Sequence, residues 1–97
     1  MERARLLFGS YRRGQANDPD TYVAAVATLL ARYPDDVICE VTHPARGLPT
    51  KTDFLPTVRE VYLACEAIEA PRREARAWEA RVRQQLADRA EHEAAKR

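Results

Sequence analysis

The spacing of apolar residues predicts a chain built from helices. In the first segment, Leu6, Leu7 and Tyr11, with Ala4, fall on one side of a helix running from residue 2 to about 13, with Gly14 as a stop signal. The next start is chemically well marked. Asp18 can cap, Pro19 suits the first helical position, and Asp20 suits the positive end of the macrodipole. From there Tyr22, Val23, Val26, Leu29, Leu30 and Tyr33 make one wide apolar face, alanines between them add propensity, and Pro34 ends the run. Leu29 stands at the middle of that face.

A third short helix is expected over residues 37–42, capped by Asp35 or Asp36. Val37, Ile38 and Val41 are its apolar residues. All three are β-branched, so a strand competes with the helix. The helix is preferred because no partner strand is visible elsewhere. Residues 43–53, with Pro44, Gly47 and Pro49, read as a surface loop.

Thr57 followed three residues later by Glu60 is a capping box, and Pro56 stands just before it. Val58, Val61, Tyr62, Leu63, Cys65 and Ile68 then keep helical spacing. Pro71 interrupts, and an interior proline costs a helix about 3 kcal/mol. Ala70 is a poor cap for a new start, and the stripe of Val61, Cys65 and Ile68 continues in phase toward Leu86 and Ala90. A kinked continuous helix and a break fit the sequence equally well. Beyond Pro71 the chain is rich in Ala, Glu and Arg. Glu69–Arg73, Glu79–Arg83 and Glu93–Arg97 are spaced for i, i+4 support. The expected fold is all-α: a small bundle of three to four helices over residues 1–70, and an extended, charged helical arm over residues 71–97.

With 97 residues the chain is sized for one domain with a modest core. Charge is balanced, at 16 basic and 15 acidic residues. Residues 1–53 hold seven of each sign, and residues 54–97 hold nine basic against eight acidic. Nucleic-acid binders draw affinity from a basic excess or stripe; this balance gives that reading no support, although one basic face would satisfy it. The start Met-Glu-Arg-Ala-Arg is too charged, and Leu6-Leu7-Phe8 too short, for a signal peptide. No apolar run approaches the ~18 residues of a membrane span. The expectation is a cytoplasmic protein that binds no membrane.

Catalytic chemistry finds no purchase in the pattern. Gly9, Gly14 and Gly47 are scattered, and none precedes a Lys-Ser/Thr pair, so no phosphate loop is present. Cys39 and His43 are four apart, but two ligands do not close a metal site. Ser10, the single serine, has no histidine nearby in sequence. Cys39 and Cys65 both read as buried thiols acting as small hydrophobes. The chain is expected to be no enzyme and to use no metal or cofactor.

Binding chemistry gathers instead on the arm. Arg12-Arg13 and Arg72, Arg73 and Arg76 are the basic clusters, read either as solvated faces or as contacts to an acidic partner. Trp78, Val82 and Leu86 follow at four-residue spacing, with Arg81 beside them. Trp78 either folds back onto the second helix or anchors a partner, since tryptophan and arginine dominate interface energetics. The expected partner-binding set is Arg72, Arg73, Arg76, Trp78, Arg81, Val82 and Leu86.

The string Phe54-Leu55-Pro56-Thr57-Val58-Arg59-Glu60-Val61 resembles a motif of small phage replication proteins, the helicase loader/inhibitor proteins. There an aromatic, proline, Ser/Thr, aliphatic, x, Glu, aliphatic pattern opens a helix. The upstream order is also similar: a short helix ending near Tyr11, a helix with Tyr22 near its start, a short element and a loop. The resemblance covers residues 5–65. Leu55 stands where the family often has a second proline, and residues 70–97 depart from it. It implies a helical scaffold domain with a C-terminal segment that engages a hexameric replicative helicase, to load or to inhibit it. Two other roles fit a small charge-patterned binder: a phage inhibitor of a host enzyme such as a CRISPR-type defence nuclease, and a DNA-binding regulator.

Overall fold

The computed structural model describes residues 1–11, 14 and 18–96. Four α-helices follow one another: α1 (Glu2–Gly9), α2 (Pro19–Leu30), α3 (Asp35–Val41) and α4 (Val58–Ala95), with a 3-10 turn at Leu48–Thr50. No strand occurs among the described residues, so the strand alternative for the third element falls away. The fold is an all-α bundle carrying one long helix. α1 packs on α2, and both α2 and α3 pack on the first turns of α4.

Local chemistry explains each start. The Asp18 carboxylate accepts from the Thr21 N–H at 3.2 Å and from its hydroxyl at 2.7 Å, with Pro19 in the first turn. Those bonds hold its carboxyl below the usual carboxylate range. At α4, Thr57 Oγ1 accepts from the Glu60 N–H at 3.1 Å, and Glu60 Oε1 accepts from the Thr57 N–H at 3.4 Å, completing the capping box. α3 differs from the expectation. Its N-cap is Pro34, in extended geometry, and neither Asp35 nor Asp36 caps. Both sit in the first turn, where the macrodipole favours them.

α1 is shorter than predicted. It ends at Gly9, where the Ser10 hydroxyl donates to the Leu6 carbonyl at 2.8 Å and its N–H to that of Leu7 at 3.2 Å. Gly14, expected to stop the helix, has a φ of 84°. Arg12, Arg13, Asn17 and Arg97 lie outside the described residues, and with them the first basic cluster and the Glu93–Arg97 pair.

The core joins Ala4 and Leu7 of α1, Val23, Val26 and Leu30 of α2, Val37 and Val41 of α3, Leu48 of the turn, and Val61 and Cys65 of α4. Leu29 is half-buried at its edge, so the most buried line of α2 runs through Val26 and Leu30 instead. Cys39 is exposed, against expectation, because the short α3 turns Val37 and Val41 inward and leaves that thiol outside. Cys65 is fully buried, and both thiols are free. The buried Thr42 is satisfied twice. Its hydroxyl donates to the Ile38 carbonyl at 2.7 Å and accepts from Arg3 Nε at 2.9 Å. Arg3 Nη2 also donates to the Cys39 carbonyl at 3.0 Å, tying α1 to the end of α3. The 43–53 loop is anchored too. Leu48 is buried, and a Cβ on Gly47 would overlap the carbonyl oxygens of Val41 and Glu40.

Candidate partner-binding arm

α4 has 38 residues, about 57 Å at the α-helical rise. It is continuous through Pro71, which settles the alternatives left by the sequence. Its first turns are core. Val61 and Cys65 are fully buried and Ile68 is half-buried. From Pro71 to Lys96 every residue is exposed except Val82, which is half-buried. The molecule therefore measures 73 × 23 × 18 Å, a helical head with an arm standing out from it.

Seven residues were expected to form the binding set, and the structure divides them into two groups. Arg72, Arg73 and Arg76 are engaged within the chain. Arg72 Nη1 lies 2.7 Å from Asp36 Oδ2 on α3 and 3.7 Å from Glu69 Oε2. Arg73 Nη1 lies 3.2 Å from Glu66 Oε2, and Arg76 Nη2 lies 2.8 Å from Glu69 Oε1. Glu66 also accepts from the Tyr33 hydroxyl at 2.8 Å. The predicted i, i+4 pair Glu69–Arg73 is replaced by two i, i+7 pairs. Seven residues make almost two whole turns, and side chains lean toward the helix N-terminus, so a long arginine reaches back along its own face. No ion pair joins Glu79 and Arg83 among the described residues.

These contacts show in the protonation of the acids. The Arg73 guanidinium, followed by the Tyr33 hydroxyl, holds the Glu66 carboxyl below its usual range. Arg72 does the same for Asp36. Desolvation, reinforced by the bond to Glu66, pushes the Tyr33 phenol upward.

The second group is free. Trp78 and Leu86 are 60% and 59% exposed, with Val82 between them on the same side of the helix. Trp78 does not fold back onto α2. Arg81 is exposed and carries no ion pair among the described residues. The stripe continues the face that α4 buries in the head, but no element of the chain covers it. It offers apolar surface and an unpaired cation, which suits a groove or a second helix.

A further apolar surface was not anticipated. Phe54 is 77% exposed, and Val58, Tyr62 and Leu63 are exposed on the opening turns of α4. Sequence spacing had grouped Tyr62 and Leu63 with the core residues Val61 and Cys65. Its one legible signal was the unbroken Val61-Tyr62-Leu63 run, too wide for a single face to bury. Within the motif that resembles the phage proteins, Pro56 is buried, and its carbonyl accepts from the Tyr22 hydroxyl at 2.8 Å.

Among the described residues no group of three or more His, Cys, Asp or Glu is gathered to hold a metal. His43 lies beyond the end of α3, and its Nδ1 accepts from the Ala45 N–H at 3.0 Å. No helix is long and apolar enough to cross a membrane. The chain matches no protein-family model, no curated protein and no solved structure.

Proposed function

We propose that this is a non-catalytic binding protein that engages a protein partner through the stripe Trp78, Val82 and Leu86, with Arg81 as a charged contact. The observation that carries the reading is the exposure of Trp78 and Leu86 on a continuous helix clear of the head. Large apolar side chains so placed gain nothing from the fold of their own chain and gain burial only from a partner. Arg72, Arg73 and Arg76 belong to the link between arm and head, which narrows the proposed contact set to residues beyond them.

The proposed partner is a hexameric replicative DNA helicase, which the protein loads or restrains in the cytoplasm. That choice rests on the resemblance at residues 54–61, whose capping box and buried Pro56 agree with a helix-opening role. The test uses the full chain and its Trp78→Ala/Leu86→Ala variant, titrated calorimetrically into a phage-type replicative helicase. Affinity should fall by more than about 2 kcal/mol if these are anchors. The melting temperature should hold, because both side chains lie outside the core. Equal affinity for the two proteins refutes the stripe. No binding by either refutes the helicase and turns attention to a defence nuclease. A salt-dependent shift of bare DNA supports the regulator reading instead.

A further inference from the structure

Pro71 stands where α4 leaves the head. Proline has no N–H, so the Ala67 carbonyl loses the donor that an ordinary residue would supply, and the ring crowds that same carbonyl. No residue suits a helix interior less. The sequence offers no compensating cap, since Ala70 precedes it. Yet the helix is unbroken there.

What spans the weak point is ionic. The three arginines in the turn and a half after Pro71 all reach back across it. Arg73 holds Glu66 with both guanidinium nitrogens, at 3.2 and 3.4 Å. Arg76 holds Glu69 Oε1 at 2.8 Å. Arg72 bonds Asp36 at 2.7 Å, which fastens the first turn of the arm to a different helix. The acids are braced from the head side. Glu66 receives the Tyr33 hydroxyl, and Glu69 is 93% buried, its Oε2 having no hydrogen bond and only Arg72 at 3.7 Å. A carboxylate so desolvated depends on the cations that reach it, and both lie beyond the proline. Straightness at Pro71 and pairing at Glu69 therefore stand or fall together.

We infer that α4 is a conditional strut: the clasp of Arg72, Arg73 and Arg76 on Glu66, Glu69 and Asp36 holds it continuous through Pro71, and loosening the clasp lets it bend there and swing the arm. This property belongs to the chain alone and does not depend on what the arm binds. Anything that screens or competes for the arginines shifts the population from the straight form to the bent one.

The test measures distances in the full chain. One spin label goes on the exposed native Cys39 and a second on Ala87→Cys, far along the arm, while the buried Cys65 stays unlabelled. At low salt the distance distribution is expected to be single and narrow. Glu66→Gln with Glu69→Gln should add a shorter-distance population, raised about fivefold over the parent, the ratio that ~1 kcal/mol confers. The unsubstituted chain should show the same population at about 1 M salt, where the screening length is about 3 Å. Adding Pro71→Ala should abolish it in both cases. Continued protection of Cys65 from thiol reagent shows that the head is intact in each variant. A distribution that neither treatment changes overturns the inference, as does a bent population that survives Pro71→Ala.

Discussion

Where the head ends has a measurable consequence. Cutting the chain after Ala70 removes Arg72 and Arg76, the two cations at Glu69, together with Arg73 at Glu66. Cutting after Ala77 keeps all three. A wholly desolvated carboxylate that loses its partner costs 3–5 kcal/mol. In the shorter fragment Glu69 lies one residue from a new chain end, where water reaches it, so the expected cost is about 2–3 kcal/mol. For a domain of this size each kcal/mol moves the melting temperature by about 4–8 °C. The fragment ending at Ala70 should thus melt roughly 8–24 °C below the fragment ending at Ala77. The longer fragment should melt within about 4 °C of the full chain, since it loses only exposed residues. Thermal unfolding followed by circular dichroism at equal concentrations reads all three. Equal melting of the two fragments would show that the arginines stabilise nothing in the head. A longer fragment as weak as the shorter one would mean that residues beyond Ala77 support the fold.

Leu7→Ala, at a fully buried position, should destabilise by about 2–5 kcal/mol in denaturant titration, and Leu29→Ala, half-buried, by clearly less; the reverse order would misplace the core. Thr57→Ala should cost about 0.5–2 kcal/mol through the lost cap and leave partner affinity intact, so a binding loss at unchanged stability would make the 54–61 motif a contact surface. On acidification, stability should be full above the ordinary carboxylate range near pH 4 and fall as pH drops through the lowered values of Asp36 and Glu66, because the fold favours their ionised forms. In alkali, burial lifts the Cys65 thiol to about 11 and the Tyr22 phenol to about 12. The fold favours their neutral forms, so stability should hold below pH ~8.5 and fall as pH rises through those values. Melting temperatures that stay flat from pH 3 to pH 11 would contradict both.

Local signals carried the reading of the fold well where one short stretch contains the whole cause. The Asp18-Pro19 start and the Thr57–Glu60 box are of that kind, since every partner lies within three residues. Signals that depend on a distant element carried less. Leu29 and Cys39 sit in apolar patterns, yet which face a helix buries depends on where its neighbours dock. Gly47 looked like loop punctuation, whereas it is the place where the loop touches the end of α3. At the candidate site, composition pointed to the exposed Trp78 and Leu86. It could not tell those from Arg72, Arg73 and Arg76, because the acids that bind the arginines include Asp36, far away in sequence. The continuity of the helix at Pro71 was hidden for the same reason.

The arm also governs how the protein behaves in bulk solution. A compact chain of 97 residues has a radius of gyration of about 12–13 Å. Here it is 20.1 Å, the value of a compact chain of roughly 340 residues. Small-angle scattering will therefore place a single copy among much larger globular particles, and its drag in a size-exclusion column will exceed what its mass suggests. Assigned from size alone, a monomer would pass for a trimer or tetramer, so stoichiometry with any partner has to come from a mass measurement such as light scattering or sedimentation equilibrium. The same slenderness lowers the rate of end-over-end tumbling and leaves rotation about the long axis fast. Relaxation of amides along α4 will accordingly depend on the angle each N–H makes with that axis.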